Sequence, residues 1–78
     1  MPRYFFHLFN DVVSLDDEGL ELPGLPDAKE KALEEARILV CESVKKGHLN
    51  LDHRIELSDE TGQKVLTLTF RDAFTIDG

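Results

Sequence analysis

Pro26-Asp27-Ala28-Lys29-Glu30-Lys31-Ala32-Leu33-Glu34-Glu35-Ala36-Arg37-Ile38-Leu39-Val40-Cys41-Glu42-Ser43-Val44-Lys45-Lys46-Gly47 is the stretch on which the fold turns. At about 100° per residue, Ala28, Ala32, Leu33, Ala36, Leu39, Val40, Ser43 and Val44 fall in one stripe, and most of the charged residues lie outside it. The pattern predicts an amphipathic helix over about residues 28–46. Asp27 with Glu30 three residues later matches a capping box, with Asp27 as the N-cap. Lys45-Lys46 before Gly47 supplies the cations and the glycine that favour a helix end. Ile38 and Cys41 point away from the stripe.

Strand patterns flank this helix on both sides. Upstream, Arg3 to Phe9 carries four aromatics in seven positions (Tyr4, Phe5, Phe6, Phe9) and predicts a strand over 3–9. Asn10-Asp11 supplies turn chemistry, and Val12 to Leu15 returns as a short second strand over 12–15. Leu20-Glu21-Leu22 alternates again and extends that second strand, bent at Gly19. Downstream, Arg54-Ile55-Glu56-Leu57-Ser58 alternates with period two within a strand over 53–58. Asp59-Glu60-Thr61-Gly62 makes the turn, and a last strand spans 64–70. Arg71 to Gly78 forms a tail in which Phe74 and Ile76 are apolar enough to pack back. The order β-β-α-β-β predicts an α+β fold in one domain spanning 1–78: a four-stranded, mainly antiparallel sheet with one helix on one face.

One face of that sheet has no helix. If Tyr4, Phe6 and Leu8 join Ile55, Leu57, Leu66, Leu68 and Phe70 beneath the helix, then Phe5, His7 and Phe9 lie opposite, beside Arg54, Val65 and Thr67. The first strand is apolar on both sides, so the reverse assignment also leaves aromatic surface without a helix. Either the tail or the Leu20 to Leu25 segment covers it, or another chain does, and the expected outcome is a homo-oligomer.

Composition sets the remaining bounds. The chain has 78 residues, 41% apolar and 32% charged, with a net charge of −7. That suits one small soluble domain with little stability to spare. Five acids and no base lie between Asp11 and Glu21, so this segment alone carries −5, leaving eleven acids against nine bases elsewhere. The charge argues against nucleic acid as a partner. Aromatic strands on an open sheet are similar to those of single-stranded RNA binders, but here only Arg3, Arg54 and Arg71 lie near. No apolar run is long enough to span a membrane. The N-terminus lacks a secretory pattern, and a lone cysteine, Cys41, forms no internal disulfide, so a cytoplasmic location is expected.

The chemistry-bearing residues do not assemble a reactive constellation. His7, His48 and His53 have no ligand spacing, and Asp16-Asp17-Glu18 does not match a calcium loop. Cys41 sits mid-helix with no neighbouring base. No metal, cofactor or enzymatic activity is expected. The acidic stretch, through Asp16, Asp17, Glu18 and Glu21, is a candidate contact loop for a basic protein partner.

Met1-Pro2-Arg3-Tyr4-Phe5-Phe6-His7, Asp17-Glu18-Gly19-Leu20-Glu21-Leu22-Pro23, the alanine-rich helix from Ala28 to Ala36, and Asp59-Glu60-Thr61-Gly62 with Val65 to Ala73 together resemble a family of small bacterial domains of unknown function, frequent in alphaproteobacteria. The resemblance covers nearly the whole chain and implies a stand-alone cytosolic protein; it carries over no functional residue. The Leu22-Pro23-Gly24 segment and following helix are more loosely similar to HicB-type antitoxins. Those usually add a DNA-binding segment that has no counterpart in these 78 residues.

Overall fold

In the computed structural model, which describes residues 1–77, five strands and one long helix form two layers. The strands are β1 (Arg3–Phe9), β2 (Val13–Ser14), β3 (Leu20–Glu21), β4 (Arg54–Ser58) and β5 (Lys64–Thr69); the helix α1 runs Leu25–Lys45. A short 3-10 turn, Phe70–Ala73, follows β5. Every pairing is antiparallel, in the order β2-β1-β4-β5, with β3 also on β1. The α+β expectation is met. Gly78, the end of the expected tail, lies outside the described residues.

The helix starts earlier than its sequence pattern suggests. Gly24, in extended conformation, is the N-cap and makes no side-chain cap. Asp27 is therefore not the N-cap, and no capping box forms with Glu30. Pro26 explains the shift: its missing N–H and fixed φ are at home in a first helical turn, so the helix absorbs it. Asp27 still meets the positive end of the helix dipole. The other end matches expectation. Gly47, at φ 80°, donates to the Val44 carbonyl at 2.9 Å, and His48 N–H donates to that of Ser43 at 3.1 Å. This paired closure is the one glycine makes available at a helix C-terminus.

Ala28, Ala32 and Ala36 are fully buried, so the helix backbone approaches the sheet closely. It lies mainly over β4, β5 and the 3-10 turn. Ile55, Leu68, Phe70 and Ala73 pack with Ala32 and Ala36, while Tyr4 and Leu57 pack with Ala28. Phe6 and Leu8 contact these clusters, so Tyr4, Phe6 and Leu8 are the helix-side residues of β1.

The last strand stops one residue short because Phe70 begins the 3-10 turn. Asp72 accepts hydrogen bonds from the Thr69 N–H and hydroxyl at 3.0 and 3.1 Å. Phe70 N–H donates to the His53 carbonyl at 2.8 Å, and Arg37 Nε donates to that of Ala73 at 2.7 Å. These bonds hold the turn under the helix. Phe74 follows it into the helix-side core, whereas Ile76 is 79% exposed.

Phe70 and Leu57 are the largest fully buried side chains, each 1% exposed. Replacing Phe70 with alanine should cost about 3–5 kcal/mol, close to the whole stability of a domain this small. Ile38→Ala, at a half-exposed position, should change stability by less than about 0.5 kcal/mol. Urea unfolding followed by circular dichroism checks both.

Candidate functional site

The second strand does not run unbroken beside β1. Leu8 pairs with Ser14, and Tyr4 with Leu20. Phe5, Phe6 and His7 therefore face a longer segment, Leu15 to Gly19, with more residues than a flat ladder holds. The surplus bulges out, and β2 and β3 are two fragments of one edge strand.

A bulge leaves a gap in the ladder. N–H groups alternate in direction along a strand, so those of Tyr4, Phe6 and Leu8 all point to this edge. Tyr4 and Leu8 have backbone partners there, but opposite Phe6 the chain has moved away. Asp16 fills the gap. Its Oδ2 accepts from Phe6 N–H at 3.1 Å, and its Oδ1 accepts from Glu18 and Gly19 N–H, each at 3.1 Å. The Asp16 N–H in turn donates to His7 Nδ1 at 3.0 Å. Burial alone pushes the Asp16 carboxyl up, but the N–H groups of Gly19, Phe6 and Glu18, with the nearby His7, outweigh it and hold the carboxyl below its usual range.

Gly19 completes the bulge. At φ 71°, it passes so close to β1 that a Cβ there would lie 2.8 Å from Arg3 Cγ and 2.9 Å from both a Phe5 ring carbon and the Tyr4 carbonyl oxygen. Only glycine fits. Arg3 clamps the segment from outside, donating to the Glu18 carbonyl at 2.8 Å and to Glu21 Oε1 at 3.2 Å.

The helix-free sheet face carries Phe5, His7, Phe9, Arg54 and Thr67, in cross-strand rows. Val13, Phe9, Arg54 and Thr69 form one row, and His7, Glu56 and Thr67 the next. The Arg54 guanidinium lies 4.4 Å from the centre of the Phe9 ring, a cation–π contact. Arg54 Nε also donates to Glu56 Oε2 at 2.8 Å, and Lys64 Nζ lies 4.0 Å from the other oxygen of the same carboxylate. The bond from Arg54 outweighs partial burial, and with Lys64 and His7 nearby it holds the Glu56 carboxyl below its usual range. Val65 is not a clean member of this face. The register slips between Leu57 and Ser58, leaving Val65 as an extra residue that packs against the Tyr4, Ala28 and Leu57 cluster.

Among the described residues, neither the tail nor the Leu20 to Leu25 segment lies over this face. Phe74 and Leu22 pack with the helix-side clusters, and Ile76 projects into solvent. On the helix side, because α1 sits over β4 and β5, a cleft of about 330 Å³ opens between the helix and the β1 edge. Phe6, Leu8, Leu39 and Ile55 line it, with Leu20 and Asp16 on the loop side and the Lys31–Glu35 ion pair, at 3.7 Å, on the helix side.

The four acidic loop residues are thus not equivalent. Asp16 is engaged by the backbone and Glu21 by Arg3, whereas Asp17 and Glu18 are exposed. Sequence reasoning missed the structural role of Asp16, the central place of Glu56, and the cleft. The first had a local signal, because an aspartate three residues before a glycine is turn chemistry. The second needed the strand register, and the third needed the helix position. Among the described residues no group of histidine, cysteine and acidic side chains is placed to hold a metal ion, and no helix is long and apolar enough to cross a membrane.

These features define a two-layer α+β domain with a bulged, aspartate-pinned edge and one helix-free sheet face. A family model for a domain of unknown function, DUF6894, matches residues 3–71, and the chain belongs to that family. No curated protein and no solved structure matches it.

The loop geometry gives a pH-dependent test. Asp16→Ala removes three accepted hydrogen bonds and should destabilise the domain by about 1–2 kcal/mol at neutral pH, toward the low end for charged hydrogen bonds because water reaches the loop. A depressed folded-state pKa stabilises above the unfolded value and ceases to do so as pH falls through the folded one. The gap between wild type and variant should therefore be full at pH 6–7 and close below about pH 4. Asp17→Asn, measured alongside by urea unfolding, should stay within about 0.5 kcal/mol of wild type.

Proposed function

We propose that this domain works without catalysis, through protein–protein contact, and that its helix-free sheet face meets the same face of a second copy. The observation that supports this most is the character of that face against the rest of the molecule. The chain carries −7, yet on this face Arg3, Arg54 and Lys64 stand with Glu21 and Glu56, already linked in ion pairs. Two copies approaching here meet little of the charge that repels them elsewhere. Val13, at 58% exposure, and the partly buried Phe5 and Phe9 supply apolar surface to bury. A two-fold axis across the sheet brings the same patch to both partners, the commonest closed arrangement.

The antitoxin-like alternative, in which acidic residues 11–21 capture a basic protein, has a narrower footing. Asp16 and Glu21 have internal partners, and the Asp11 carboxylate lies 3.5 Å from His53 Nε2, which leaves chiefly Asp17 and Glu18 to meet another chain.

Phe9→Lys sets a second cation beside Arg54 on each copy. Light scattering across micromolar concentrations should find wild type with the mass of two chains and the variant with the mass of one, its circular dichroism unchanged. Wild type remaining at the mass of one chain throughout this range defeats the reading.

A further inference from the structure

His7 and Asp16 meet at the rim of the sheet, where the loop wraps from one face to the other. The His7 imidazole belongs to the helix-free face, in the row with Glu56 and Thr67. Asp16 sends its backbone N–H to that imidazole, while its carboxylate takes the Phe6 N–H and lines the cleft on the helix side. One residue thus touches both sides of the sheet.

The bond between them dictates a protonation state. A ring nitrogen that accepts a hydrogen bond carries no proton, so the bound His7 is neutral with its proton on Nε2. A proton from solvent can add only at Nδ1. Once there, it faces the Asp16 N–H, donor against donor, and the 3.0 Å bond is lost. The charged groups nearest the ring are the carboxylates of Asp16 from the loop and Glu56 from β4. Arg54 and Lys64 are drawn to Glu56, and β5 presents the Thr67 hydroxyl in the same row.

We propose that His7 is a proton-operated latch on the Leu15–Gly19 bulge: neutral, it holds the Asp16 backbone; protonated, it releases it and loosens the cleft wall formed by Asp16 and Leu20. The event begins on one sheet face and is felt on the other. The bulge stays attached through the Asp16 carboxylate and the Arg3 clamp, so release is local. This inference stands on loop geometry and is independent of self-association.

Amide and imidazole NMR of the intact chain, titrated from pH 8 to pH 5, tests it. At pH 8 the His7 nitrogen shifts should show an unprotonated Nδ1. As His7 charges, the amide shifts of Asp16, Glu18, Gly19 and Leu20 should move with its titration curve. Protection of the Asp16 amide from exchange, corrected for its intrinsic pH dependence, should fall about tenfold, the size of one lost hydrogen bond. In His7→Asn, whose side-chain oxygen accepts a hydrogen bond but does not titrate, these changes should disappear. A neutral His7 with its proton on Nδ1 overturns the latch, and that result needs no variant. So does an Asp16 amide indifferent to His7 charging, or the same response persisting in His7→Asn.

Discussion

The Asp16 carboxylate stands in for a strand. Where β2 and β3 leave β1, the Phe6 N–H loses the carbonyl that a continuous ladder provides, and Asp16 Oδ2 takes its place at 3.1 Å. Without that bond a main-chain donor at the rim of a small core has no protein partner, which is costly. With it, the surplus residues of the loop close on themselves through Glu18 and Gly19. The bulge also blunts an edge that an uninterrupted second strand would offer as a template for another chain.

This constraint recasts the acidity of the chain. The run from Asp11 to Glu21 reads in sequence as solvated negative charge. In the fold, two of its acids are structural: one completes the ladder and one meets the Arg3 guanidinium. The helix-free face, by contrast, is locally balanced, with Glu56 shared between Arg54 and Lys64. Uneven distribution of charge, more than its total, decides which surfaces are free to meet another molecule.

Most of the architecture was legible from periodicity. The helix stripe, the two-sided aromatic strand and the alternation in β4 and β5 report burial directly, and burial is what the sheet and helix arrange. The capping-box reading failed because it weighed Asp27 and Glu30 without the freedom of Pro26 to enter the first turn. Val65 was misplaced because a one-residue slip beside Ser58 reverses a side chain, and nothing local announces it. The loop was the hardest part. Its register depends on where β3 rejoins β1, and the roles of Asp16, His7 and Glu56 emerge only once distant residues are side by side. The cleft was equally hidden, since it exists because the helix rests toward β4 and β5.

A side chain completes the backbone ladder at Phe6, and amide hydrogen exchange reads that bond directly. In wild type at neutral pH, the Phe6 amide should be protected to within about an order of magnitude of the Tyr4 and Leu8 amides on either side, although it alone of the three lacks a backbone partner on that edge. A Phe6 amide that exchanges as freely as an exposed loop, between two protected neighbours, would contradict the account.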